Sequence, residues 1–157
     1  MKATKIFAAF LLFLFLTSVN YAQKAPANLR AAILVKVLAF EKGYKPNGSI
    51  LVIGDNELAA QLEASGKFSK VDKGSGAPSG SYNAVYCDDA GLVGAVTSYT
   101  RSKKVPSLTG VLNLVEKGIT VGIGIDGGKP KILMNLSSSQ AEGLDWNPAI
   151  FNIVTKI

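Results

Sequence analysis

Apolar positions along the chain fall into three spacings, each predicting a different element. From Leu29 to Lys42, residues Leu29, Ile33, Val37 and Phe40 recur every three or four positions, and Ala32, Leu34, Val35 and Leu38 widen the stripe. That spacing predicts a helix, and one so apolar is covered on more than one side. Gly43 ends it, and Pro46-Asn47-Gly48 forms a turn. Ile50, Leu51, Val52 and Ile53 are continuous rather than alternating, as in a strand buried on both faces. Gly54 closes that strand, and Asp55 is placed to cap a helix over Asn56–Ala64, with Leu58 and Leu62 inward. A short strand over Phe68–Lys73 completes a βαβ-like unit, whose crossover favours a parallel pair.

The glycine- and serine-rich stretch Gly74–Ser81 reads as a surface loop. Ala84–Cys87 is the next strand. Asp88 or Asp89 then caps a helix to about Arg101, with Leu92, Val93, Val96 and Tyr99 inward. Val105–Leu108 is predicted as a strand and Gly110–Lys117 as a short helix. The third spacing is strict alternation. Ile119, Val121, Ile123 and Ile125 lie on one side of a strand, and Ile132, Met134 and Leu136 on the next, joined by Asp126-Gly127-Gly128. This predicts a β-hairpin. Ser137 and Gln140 match a capping box. Pro148 at a first helical position predicts a last helix burying Ile150, Phe151, Ile153 and Val154. The expected architecture is a single α/β domain: a mixed, mostly parallel sheet with helices on both faces and a C-terminal antiparallel hairpin.

The first 22 residues follow another order: Lys2 and Lys5, an eleven-residue apolar run from Ile6 to Leu16, then a more polar stretch to Ala22. This is the layout of a secretory signal peptide. The run is shorter than the roughly 20 residues that a hydrocarbon core of about 30 Å requires. Cleavage near Ala22 leaves a 135-residue domain over 23–157, and loss of two lysines takes the net charge from +6 to +4. So mild a surplus fits contact with an acidic partner or membrane surface, and solubility alone also explains it. One cysteine, Cys87, excludes an intrachain disulfide, so the exported fold must rest on packing. The absence of histidine removes Ser–His and Cys–His nucleophilic pairs and the commonest transition-metal ligand.

Two segments could carry chemistry. Gly122-Ile123-Gly124-Ile125-Asp126-Gly127 spells a dinucleotide fingerprint, but it sits inside a hairpin strand, whereas phosphate binding needs a strand leading to a helix N-terminus. Its glycines are expected to admit close approach by a neighbour instead. The other candidate is the pair of strand ends Gly54-Asp55-Asn56 and Cys87-Asp88-Asp89. Open α/β sheets bind ligands outside the carboxyl ends of their strands. Asp55, Asn56, Cys87, Asp88 and Asp89 are therefore the candidate ligand-binding residues, suited to a cation or the amine of a small molecule. The competing expectation is that the aspartates cap helices and Cys87 is a buried small hydrophobe.

Several segments, taken together, resemble the YfiR-like family of bacterial periplasmic proteins. Arg30-Ala31-Ala32-Ile33-Leu34 through Phe40-Glu41 is similar to the family's opening helix, and Ile50 to Asp55 to its first strand and Gly-Asp turn. Lys131 to Leu136, then Ala141-Glu142-Gly143-Leu144, is similar to its closing strand and helix end. The chain departs from the family at Gly43-Tyr44-Lys45-Pro46, where Trp-Pro is usual, and in having no cysteine pair. The resemblance implies a non-enzymatic periplasmic regulator that acts by protein contact on an inner-membrane signalling protein of diguanylate cyclase type. A small ligand and a homodimer are compatible with it, as is a location peripheral to the membrane. No nucleic acid, cofactor or metal is expected.

Overall fold

The computed structural model of the chain describes residues 23–157, so the expected signal peptide lies outside the described residues. The strands are β1 (Gln23–Lys24), β2 (Ser49–Ile53), β3 (Lys70–Gly74), β4 (Ala84–Cys87), β5 (Ser107–Thr109), β6 (Val121–Asp126), β7 (Lys129–Met134) and β8 (Thr155–Lys156). The helices are α1 (Ala27–Leu38), α2 (Asn56–Ser65), α3 (Val93–Lys103), α4 (Asn113–Glu116) and α5 (Leu136–Ala141), with 3-10 turns at Ala90–Leu92 and Pro148–Asn152.

They build one sheet in the order β3-β2-β4-β5-β6-β7-β8. The first five are parallel, β7 is antiparallel to β6, and β8 runs parallel to β7. The α/β expectation, with its mixed sheet and C-terminal hairpin, holds. Counted along the chain, the parallel strands lie in the order 2-1-3-4-5 of a doubly wound sheet, whose direction of winding reverses between β2 and β4. The continuous apolar run in β2 is explained by two buried faces. Ile50 and Val52 join Leu34, Val37 and Leu38 of α1 and Leu58 and Leu62 of α2 on one side. Leu51 and Ile53 join Val93 and Val96 of α3 and Leu114 of α4 on the other. Strand β4 divides likewise, Ala84 and Tyr86 against Val85 and Cys87.

The glycines of β6 do what their alternation predicted. A Cβ at Gly124 would sit 2.7 Å from the Leu112 side chain, and one at Gly122 would collide with Val115. Glycine here lets the α4 segment lie directly on the sheet.

Four local expectations need correction. Helix α1 stops at Leu38 rather than Lys42, because the next residues pair with the C-terminal segment: Asn147 N–H donates to Phe40 O at 2.7 Å and Lys42 N–H to Asp145 O at 2.8 Å. The N-cap of α5 is Asn135, whose side chain accepts from Ser138 N–H at 2.9 Å, and Ser137 and Gln140 form no capping box. The fifth strand is Ser107–Thr109 rather than Val105–Leu108. The predicted last helix is only a 3-10 turn. Ile150 is fully buried, but Phe151 and Ile153 are exposed, because the chain leaves the turn to pair as β8.

Candidate functional site

Asp55 and Asp88 lie where the winding reverses, one beyond β2 and the other beyond β4. Register places the two ends side by side, with Ile53 opposite Cys87. The side chains of both aspartates are almost wholly withdrawn from solvent, and the chain's own cations fill the space between them. Lys24 Nζ lies 2.8 Å from Asp55 Oδ2 and 2.6 Å from Asp88 Oδ2. Arg30 Nη2 donates to Asp55 Oδ2 at 2.6 Å. The other carboxylate oxygens are bonded nearby. Asp55 Oδ1 receives Leu58 N–H at 2.9 Å and thereby caps α2. Asp88 Oδ1 receives Gly110 N–H at 2.7 Å and the Thr109 hydroxyl at 3.0 Å, and its Oδ2 receives the Tyr86 hydroxyl at 3.0 Å.

Two elements deliver the cations. Strand β1 lies antiparallel beside β6, with Lys24 opposite Gly124, just past the point where β5 stops pairing at Gly122. The end of β5 thus leaves a berth for β1. Arg30 stands on the buried stripe of α1, four residues before Leu34, and is only 2% exposed. Its Nε finds no partner among the described residues. Gly110 keeps the space open, since a Cβ there would meet the Tyr86 hydroxyl and come within 3.1 Å of Arg30 Cδ.

These contacts set the protonation. Burial disfavours the charged form of Asp55, but the bonds from Lys24 and Leu58 N–H, with the Arg30 and Lys24 charges, outweigh it and lower its pKa. Burial likewise opposes the Lys24 ammonium, and its bonds to Asp55 and Asp88 outweigh that and raise its pKa. Burial first, then the Asp88 charge, pushes the Tyr86 phenol far above its ordinary value, so it remains a donor. The result is a cluster in which two cations face two carboxylates and every carboxylate oxygen has a partner.

Of the residues the sequence singled out, only Asp55 and Asp88 meet. Asn56 is the exposed first residue of α2, and Asp89 is exposed and caps the turn at Ala90–Leu92 by accepting Gly91 N–H at 2.8 Å. Cys87 is fully buried, its Sγ 3.3 Å from Asp89 O, and burial raises its thiol pKa. It behaves as a small core residue rather than a nucleophile. Sequence reasoning did not identify Lys24, Arg30, Tyr86 or Thr109 as partners. For Arg30 the signal was present: it falls on the Leu34, Val37, Leu38 stripe, where an arginine needs a buried acid. Lys24 carried none, since its place depends on where β5 ends.

A second buried carboxyl sits at the opposite edge of the sheet. Glu142, 0% exposed, follows α5 and reaches the amino ends of β5 and β6. It accepts from the hydroxyls of Thr100 at 2.6 Å, Ser107 at 2.5 Å and Thr120 at 2.6 Å, and from Ser107 N–H at 3.2 Å. Burial raises its pKa, and the three hydroxyls only partly oppose the shift. Among the described residues no three metal-ligating side chains gather, and no helix is long and apolar enough to cross a membrane.

Geometry and topology define a doubly wound α/β domain, and solved structures agree. A conserved domain protein from Vibrio cholerae superposes with a TM-score of 0.61 at 14% identity, covering 85% of this chain. An ABC domain in complex with L-Trp from Streptococcus pneumonia superposes at 0.58 and 15% identity, covering 83%. This chain spans about 60% of the length of each. At such identities the likeness is one of fold. No protein-family model and no curated protein matches the sequence.

Proposed function

We propose that this is an exported, non-enzymatic regulatory domain that acts by protein–protein contact on an inner-membrane signalling protein. One observation carries the reading. The crevice where a doubly wound sheet would take a ligand is occupied by Lys24 and Arg30, and every carboxylate oxygen there already has a partner from within the chain. With that place filled from within, and with no histidine in the chain, the outer surface is left to do the work. The resemblance of the opening helix, first strand and closing strand to YfiR-like proteins supplies the class of partner. The test is in-cell cross-linking of the exported chain, with the captured protein identified by mass spectrometry. An inner-membrane sensor or cyclase is expected, and its activity should change when this chain is deleted. Unchanged signalling output in the deletion strain would sink the reading.

A second reading is favoured by the neighbour solved in complex with L-Trp. Lys24 is the one exposed member of the cluster, its side chain 40% accessible, and its ammonium sits where a ligand amine would. In a small-ligand binding module, Lys24 would yield to that amine. Lys24→Met should then produce an L-Trp-dependent rise in Tm, lost again with Asp55→Asn and Asp88→Asn. No rise at millimolar L-Trp removes this reading.

A further inference from the structure

The outward side of α1 is left uncovered. Asn28, Ala32, Val35, Lys36 and Ala39 recur there at helical spacing; Val35 is half-buried and the other four are exposed. The first four, with Gln61, Ala64 and Ser65 of α2, border an open groove of about 400 Å³. A second hollow of about 350 Å³ continues past Ala39 to Tyr44 and Pro46, sharing Val35 and Lys67 with the first. From Asn28 to Ala39 an α-helix rises roughly 16 Å, about three turns.

The lining gives the occupant its chemistry. The walls are two helices whose backbone bonds are internal, so no free strand edge is offered to an extended peptide. The floor is aliphatic and its residues are short, which admits a bulky apolar ridge. The rim is basic. Lys36 and Lys67 are exposed, and the ion pairs among the described residues all involve other cations. The acid that joins the lining, Glu41, is buried and accepts Asp145 N–H at 3.2 Å. Positive charge on the rim therefore goes unanswered among the described residues.

We infer that this groove receives an amphipathic helix of the regulated partner, its apolar face on Ala32, Val35 and Ala39 and its flanking carboxylates on Lys36 and Lys67. The inference rests on the protein-contact reading above and names the surface that carries it. Helix-in-groove recognition supplies the affinity through apolar burial, and the lysines select the sign of the partner's charge.

The test uses the isolated protein and two labelled 16-residue helical peptides with the same Leu/Ala face, one flanked by Glu and the other by Lys. In low salt the Glu peptide should bind about ten-fold tighter, the effect of two rim charges at exposed sites. The double variant Lys36→Glu, Lys67→Glu should reverse that order, and amide shifts should map to residues 28–39 and 61–67. Equal binding of the two peptides, no binding of either, or shifts elsewhere would overturn the inference. Ala32→Trp, checked for fold by circular dichroism, should abolish binding of the Glu peptide, and retained binding counts equally against the groove. Cross-linking in cells separates this inference from its premise. Loss of the partner cross-link in both variants but not in Lys129→Glu supports the groove. A cross-link that survives both variants sinks the groove and leaves the regulatory reading standing.

Discussion

At the carboxyl edge of the sheet, Asp55 and Asp88 are buried with two cations; at the amino edge, Glu142 is buried with hydroxyls and one backbone N–H. Both sites tie distant segments together, yet they solve the cost of a buried carboxyl differently. The first keeps its charge and compensates with opposite charge. The second has no cation among its partners, and burial drives it toward the neutral acid. Pairing makes a site sensitive to the loss of one member, because the survivor is then a buried lone charge. A hydroxyl cage is more forgiving, since each hydroxyl can turn from donor to acceptor.

The largest test of that contrast is Arg30→Met. It strips the buried guanidinium from Asp55 and should destabilise by about 3–5 kcal/mol, read from urea denaturation at pH 7. Adding Asp55→Asn, which keeps the α2 cap, should recover much of the loss. A cost below about 1 kcal/mol would mean that Lys24 alone satisfies Asp55. Next comes Glu142→Ala, which removes the acceptor from three hydroxyls and the Ser107 N–H, of which Thr100 keeps Thr97 O as an alternative, and leaves a cavity. About 2–4 kcal/mol is expected, with Glu142→Gln costing distinctly less. Equal costs for Ala and Gln would show that filling, rather than hydrogen bonding, matters there.

The two sites should also respond to pH with opposite sign. The folded pKa of Asp55 lies below its ordinary 3.8. Its stabilisation is thus present above pH 3.8 and disappears as pH falls through the folded value. The folded pKa of Glu142 lies above its ordinary 4.5, so its contribution is complete below pH 4.5 and is lost as pH rises through the folded value. Stability profiles of Asp55→Asn and Glu142→Gln against the unaltered protein should therefore diverge at opposite ends of the acid range. Parallel profiles would refute the contrast. Lys24→Met should cost about 1 kcal/mol or less, because that partner is partly solvated. Smallest of all is Lys42→Ala, whose pair with Asp145 is exposed on both sides and should shift stability by at most about 0.5 kcal/mol.

Much of this architecture was readable before folding. The unbroken Ile50–Ile53 run implied a strand covered on both faces, and the alternation of Val121 to Met134 implied the hairpin; both are observed. Asp55 as a cap was readable because a cap needs only residues three apart. What escaped was non-local. The end of α1 was misjudged because Asn147 captures Phe40 O from more than a hundred residues away. The last helix was misjudged because pairing with Leu133 and Met134 competes for Thr155 and Lys156. Glu142 looked like an ordinary polar helix end.

Sequence by itself determined the class of fold and placed both aspartates just beyond the carboxyl ends of strands. Both follow from periodicity and turn signals, which are local rules. Only the tertiary structure decided what those aspartates face. Lys24 reaches them because β5 stops short and leaves β6 an open edge for β1, and Arg30 reaches them because α1 lays its apolar stripe on the sheet. The partners then assigned the charge: at Asp55 the arriving cations outweigh burial and favour the ionised form, whereas at Glu142, where only hydroxyls and an N–H arrive, burial prevails and opposes it.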